Sequence, residues 1–272
     1  MDKIHQEESI LHPEENVDLE TRLYYSYKDT PVVVFAVGLG GSGQQDSSTY
    51  NLTTQLVERE YSVRTFSPRN SGCSTGYLTL DNYVSDLGLV IEDTSQKTGE
   101  RPFAIGHSFG GYSLAKILGR EDAVEKAVLL APLLDIKEQN PRFINEFLKV
   151  KGGRRLASYL LSALGLDAQR FSNSEDALSF LDSLYLSEPC TSKLQVPAYV
   201  LLSGRTNFGL GIRNLKQLKG CWEKLMTDGS VVEVHPRLSH YFAEGNPLIG
   251  RRFFERSEHT KKTLDNISTF LS

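Results

Sequence analysis

The sequence predicts an α/β fold in which a mostly parallel central sheet is flanked by helices and interrupted by a helical insertion. Three observations predict it. Short apolar, β-branched runs alternate with segments of helical spacing from Val32 to Leu130. The same alternation returns from Val196 to Leu271. Between them, Asn140 to about Lys193 shows helical spacing and no strand pattern. A structureless loop of about fifty residues is foreign to a compact domain, so an insertion of helices is expected there. Strands separated by helices pair in parallel, because each crossover must return along the face of the sheet.

The elements follow in order. The first 18 or so residues carry no clear period and read as a loose lead-in, and Leu23 to Tyr27 reads as an edge strand. Val32 to Val37 is a continuous apolar run that ends at glycines, the pattern of a strand buried on both faces. Thr49 to Arg59 reads as a helix with Leu52, Leu56 and Val57 on one face, and Ser62 to Phe66 as the next strand. From Asp81, the positions Tyr83, Leu87, Val90 and Ile91 keep helical spacing up to Gly99. Pro102 to Ile105 reads as a strand, Gly110 to Leu118 as a helix, and Ala127 to Leu130 as a strand. After the insertion come a strand at Val196 to Leu202, a helix around Ile212 to Met226, a strand at Val231 to Val234 and a helix from His259 to Leu271. The expected division is a lead-in over 1–18, a core over 19–135, the insertion over 136–193 and the rest of the core over 194–272.

Composition narrows the function. The 272 residues carry a net charge of −4, which gives no support to nucleic-acid binding. Cys73, Cys190 and Cys221 are odd in number and lack the spacing of a disulfide framework or a zinc site. No metal and no cofactor is expected. Met1 to Leu19 is polar and acidic, unlike a signal peptide, and no apolar run of about 18 residues offers a membrane span. A soluble cytoplasmic protein is the expectation. Lys149, Lys151, Arg154 and Arg155 flank apolar residues, but a solvated basic turn is favoured over contact with a membrane surface.

The chemistry centres on Gly106-His107-Ser108-Phe109-Gly110. A Gly-x-Ser-x-Gly string alone is weak evidence. Here it follows a strand and opens a helix, and that context raises its weight. A sharp strand-to-helix turn lifts the serine hydroxyl clear of the sheet and aims the helix N-terminus at it, where the dipole favours developing negative charge. Three further stretches accompany it in order. Val37-Gly38-Leu39-Gly40-Gly41-Ser42-Gly43 follows the first buried strand. Ser67-Pro68-Arg69-Asn70-Ser71-Gly72-Cys73-Ser74 follows the next, and Ser239-His240-Tyr241-Phe242 follows the last. The glycine loop lacks the Gly-x4-Gly-Lys-Ser/Thr spacing of a phosphate loop, so nucleotide binding is not expected.

In these four stretches, from about Leu23 to Leu271, the chain resembles the α/β-hydrolase superfamily. More narrowly it resembles the cap-bearing esterase, lipase and lysophospholipase-type members. The resemblance implies an α/β-hydrolase fold with a helical cap. It makes Ser108 the nucleophile, His240 its base, and the backbone N–H groups of Leu39 and Phe109 the oxyanion hole. His235 is the rival base but falls at a strand end, and His107 is read as structural. The family often has His where this chain has Val37, a change that removes no backbone donor.

The acid departs from the pattern. Relatives usually carry Asp a few residues after the strand that is here Val196 to Leu202, and the matching position is Asn207. Some relatives place it one strand earlier, which makes Asp135 the choice, although an Asp there also suits a helix N-cap. The implied activity is cleavage of carboxylic esters or thioesters through an acyl-enzyme. The partner is a small ester or acyl molecule, lipid-like if apolar residues of the insertion line a channel. Acyl transfer and aminopeptidase-like cleavage remain open on the same fold. So does a non-catalytic binding protein, which Asn207 favours. The oligomeric state is left open.

Overall fold

The computed structural model describes residues 3–38, 47–135, 179–180, 183–184, 186–205, 215–239 and 257–272. Eight strands form one sheet in the order β1-β2-β4-β3-β5-β6-β7-β8. They are β1 (His5–Glu14), β2 (Val17–Tyr25), β3 (Val32–Ala36), β4 (Ser62–Phe66), β5 (Phe103–His107), β6 (Ala127–Leu130), β7 (Ala198–Arg205) and β8 (Val231–Ser239). β1 pairs antiparallel with β2, and β2 antiparallel with β4; from β4 to β8 every pairing is parallel. The helices are α1 (Ser47–Val57), α2 (Leu80–Thr98), α3 (Phe109–Leu118), α4 (Leu215–Leu225) and α5 (Glu258–Leu271). The expected α/β fold with a mostly parallel sheet is what forms.

Alternate residues of the central strands serve two separate cores. Val34 and Ala36 face one side with Ala104, Leu129 and Val200, under α2, α3 and α4. Val33 and Phe35 face the other with Ile105, Val128 and Leu201, under α1 and α5. Both faces are covered, so these strands read as unbroken apolar runs rather than alternating ones. α2 opens on Thr79, whose hydroxyl accepts from the Asn82 N–H at 3.1 Å, and stops at Gly99 in the left-handed conformation.

Two readings of the N-terminus are corrected. Residues 5–14 are not a loose lead-in but strand β1, and of the edge strand expected at Leu23 to Tyr27, Leu23 to Tyr25 end β2, which is interior. β1 is exposed on nearly its whole length. A strand with both faces in water shows no apolar period, which is why none is visible. Polar pairs across β2 hold it: Arg22 to Glu8 at 2.5 Å, Ser9 to Thr21 at 2.7 Å, and the Tyr25 hydroxyl donating to Glu7 at 2.6 Å. At the opposite margin β8 is longer than expected and contains Pro236, a residue that an edge strand tolerates because one side needs no donor. Among the described residues, no helix is long and apolar enough to cross a membrane.

Candidate active site

The parallel strands all end at one edge of the sheet, and the candidate residues leave from that edge. Ser108 sits between β5 and α3 with φ 54° and ψ −112°. A residue with a Cβ adopts a positive φ only when its surroundings enforce it. The enforcement is visible in two glycines. A Cβ on Gly106 would lie 2.6 Å from the Gly110 carbonyl oxygen, and one on Gly110 would press into the Ala36 carbonyl and lie 2.6 Å from that of Val37. The turn is thus closed so tightly that only glycine fits on either side of the serine. The Ser108 N–H donates to the Leu130 carbonyl at 2.8 Å, and the Tyr112 N–H donates to the Ser108 carbonyl at 3.0 Å. Backbone bonds in both directions therefore fix the turn, and the Ser108 side chain is half-buried at its apex.

Phe109 is the first residue of α3. Its N–H is among those that an α-helix leaves without an intrahelical partner. The Phe109 ring is fully buried, edge-on to Tyr83 at 5.0 Å and to Phe180 at 6.5 Å. Gly38, at the end of β3, backs onto the serine: a Cβ there would lie 3.3 Å from the Ser108 Cβ and 3.1 Å from Nδ1 of His107. His107 is buried under this contact, in keeping with a structural role. Leu39, the other expected oxyanion donor, lies outside the described residues, as do His240 and Asn207.

Asp135 lies in the loop after β6 and is half-buried. Its charge adds to the burial that pushes up the Tyr112 hydroxyl of α3 and the Cys190 thiol. Burial pushes the Cys190 thiol up to about 12, so it stays neutral and is no rival nucleophile. His235 is inside β8, with its ring bonded to Glu233 at 2.7 Å and Glu233 in turn accepting from Tyr199.

Two features escape a reading of the sequence alone. Arg69, in the Ser67 to Ser74 loop, grips Asp86 of α2 through Nε at 3.0 and 3.1 Å and through a terminal nitrogen at 2.9 Å, and reaches Glu14 at 2.8 Å. Both Arg69 and Asp86 are buried. Burial pushes the Asp86 carboxyl above its ordinary value, and the Arg69 guanidinium pulls it back. The available signal was a carboxylate on the same helical stripe as Tyr83, Leu87 and Val90, since a buried charge needs a partner. The second feature is Tyr83, whose hydroxyl donates to the Val37 carbonyl at 2.5 Å. Apolar spacing marks it only as a core position.

Residues at the end of the expected insertion belong to the body of the protein. Phe180, Leu184, Cys190 and Leu194 are part of the core beneath α2 and α3. Ser183 Oγ accepts from the Leu80 N–H at 3.0 Å, and the Cys190 N–H donates to the Leu134 carbonyl at 2.9 Å. Helical spacing alone suggests that Phe180 and Leu184 pack within the insertion. Their burial beneath α2 and α3 shows that core contacts take them instead.

The comparisons agree with this arrangement. The family profile described as serine aminopeptidase, S33, matches residues 29–194. The chain is 26% identical over 110 residues to the candidate carbamate hydrolase RutD of Escherichia coli O26:H11. That match covers 40% of this chain and spans 38% of the length of the relative. Among solved structures, the α/β hydrolase GrgF of Penicillium sp. sh18 is similar with a TM-score of 0.69 at 15% identity, covering 98% of each chain. An esterase of Pyrococcus furiosus is similar with a TM-score of 0.70 at 16% identity, covering 98% of this chain and 91% of that one. At such identities the likeness is one of fold. A tightly closed elbow at Ser108, a sheet of this order and a profile match over more than half of its length establish that the chain belongs to the α/β-hydrolase superfamily, in the family described as serine aminopeptidase, S33.

Proposed function

We propose that the protein is a serine hydrolase that cleaves a carboxylic ester or thioester through an acyl-enzyme on Ser108. The observation that carries this reading is the Ser108 backbone, held at a positive φ between two glycines that no other residue could replace. A serine hydroxyl is a weak nucleophile until a base removes its proton, and His240 is the base in this reading. Ser108 Oγ attacks the carbonyl carbon as its proton passes to the His240 ring. The carbonyl oxygen becomes an oxyanion facing the N–H groups of Phe109 and Leu39. The carbon–heteroatom bond then breaks, and the leaving group takes the proton from His240. Water, deprotonated by the same ring, attacks the acyl-enzyme and restores Ser108. Asp135 orients the ring and stabilises its charged form.

Residues 136–193 are the cap in this proposal, apart from Phe180, Leu184 and Cys190, which pack in the body, and a few of its other apolar side chains line an acyl channel. A cytoplasmic location fits the same reading. A second reading, removal of an N-terminal residue from a peptide, is favoured by the description of the matching family and uses the same machinery on an amide. A fluorophosphonate probe tests the nucleophile common to both. The wild type should label stoichiometrically, and Ser108→Ala should abolish both labelling and hydrolysis of a short p-nitrophenyl ester. A folded wild type that neither labels nor turns over would instead point to a non-catalytic binding protein, the role that Asn207 suits.

A further inference from the structure

The Val37 carbonyl, at the end of β3, is a junction of three elements. The Tyr83 hydroxyl of α2 donates to it at 2.5 Å. Gly110 of α3 presses against it so closely that a Cβ would lie 2.6 Å from its oxygen. On the other side of the same peptide, Gly38 rests on the Ser108 Cβ. The Tyr83 phenol is 1% exposed, and burial pushes its ionisation far above the ordinary range, so it remains a neutral donor. Its ring also meets the Phe109 ring edge-on at 5.0 Å and lies 5.5 Å from Phe66. One side chain therefore meets both the Val37 carbonyl and the ring of Phe109, whose N–H is one of the two expected oxyanion donors.

We infer that Tyr83 is a positioning residue of the oxyanion hole, acting through the Val37 carbonyl and the Phe109 ring. The inference rests on the reading of Ser108 as an acylated nucleophile. A peptide unit is planar and trans, so a Val37 carbonyl held in one direction also fixes the N–H of Gly38, the residue that backs onto the Ser108 Cβ. Donor placement matters steeply, because an oxyanion hole acts only when its N–H groups already point to where charge develops. A ring of the same size without the hydroxyl would fill the core equally well but remove this bond to the carbonyl. α2 is a firm base for this role. Asp86 is three residues on from Tyr83, on the same face, and is clamped by Arg69.

The test compares Tyr83→Phe with wild type on a short p-nitrophenyl ester, at a temperature where both are fully folded. Active sites are counted by fluorophosphonate labelling taken to completion. The expected result is a fall in kcat of about tenfold with KM within about twofold, since the loss falls on the transition state rather than on substrate binding. Affinity for a trifluoromethyl ketone, which adds to the serine as a tetrahedral oxyanion, should fall by the same factor. 4-Aminophenylalanine at position 83 restores a donor and should restore both quantities; 4-fluorophenylalanine, which has none, should not. Should Tyr83→Phe fail to fold, the comparison between these two residues replaces it. Unchanged kcat in the variants without a donor, or a change in KM alone, overturns the role of Tyr83. A wild type that neither labels nor hydrolyses the ester overturns it together with the reading of Ser108.

Discussion

Ser108 holds its φ of 54° at a cost of roughly 1–3 kcal/mol, the usual range for a residue with a Cβ in such a region. Alanine inherits that cost, whereas glycine escapes it. Glycine pays about 0.5–1 kcal/mol in backbone entropy instead, so the difference between them is small but has a definite sign. Ser108→Gly should therefore unfold at a higher temperature than Ser108→Ala by a few degrees, with both inactive. A Ser108→Ala variant at least as stable as Ser108→Gly would mean that the turn is not strained. At this scale the elbow was legible because its glycines answer to crowding within a few residues of chain. Tyr83 was not legible, because its partner carbonyl is 46 residues away and only folding brings them together. Asp86 and Arg69 meet for the same reason, across 17 residues.

α2 shows how an element serves a site to which it contributes no proposed catalytic group. Its caps set its ends, its apolar stripe sets its rotation, and the Arg69–Asp86 pair sets its position along the sheet. Arg69 is 3% exposed and Asp86 is fully buried. Removing Arg69 strands a buried carboxylate, and removing Asp86 leaves the buried guanidinium only its bond to the exposed Glu14, at a cost of up to about 3–5 kcal/mol. Asp86→Ala should lose that much in denaturant unfolding. Replacing the pair together, as Arg69→Met with Asp86→Leu, should cost less than Asp86→Ala alone, because no charge is left unpaired. Additive losses would show that the two side chains do not act as a pair. Among the elements, legibility followed burial. β3 and β6 were evident because both their faces are apolar, and α2 because one face is. β1 was hidden because water covers both of its faces, leaving its polar residues no reason to alternate.

For the whole molecule, alternation of strands and helices made the parallel sheet legible, but not the strand order, which depends on where each crossover lands. That order bears on the unresolved choice of acid. Ser108 follows β5, Asp135 follows β6, Asn207 follows β7 and His240 follows β8, and these four strands are consecutive neighbours. Strands lie about 4.8 Å apart, so if His240 is the base it would have roughly three strand spacings to cross from the end of β8 to the serine. β7 and β8 stay paired as far as Arg205 and Ser239, with a register shift between the Ser203–His235 and Arg205–Ser239 partners. An acid from β6 stands nearer the serine; a group from β7 stands nearer the start of the base loop. Only a carboxylate can stabilise the imidazolium that forms as Ser108 gives up its proton, and Asn207 has none. If Asp135 carries that charge, Asp135→Asn should lower kcat by about 10³–10⁴-fold, with substrate binding little changed. Asn207→Ala should then cost less than about tenfold, the loss of a neutral orienting bond. The reverse order would assign the orienting role to the β7 position, and the enzyme would run on a neutral Ser-His-Asn arrangement. Kinetics of both variants on one p-nitrophenyl ester, across a pH range spanning the ordinary histidine value of about 6.5, would distinguish the two outcomes. A carboxylate that stabilises the imidazolium raises the pKa of the base, so its removal should also move the rising limb of the rate profile to lower pH.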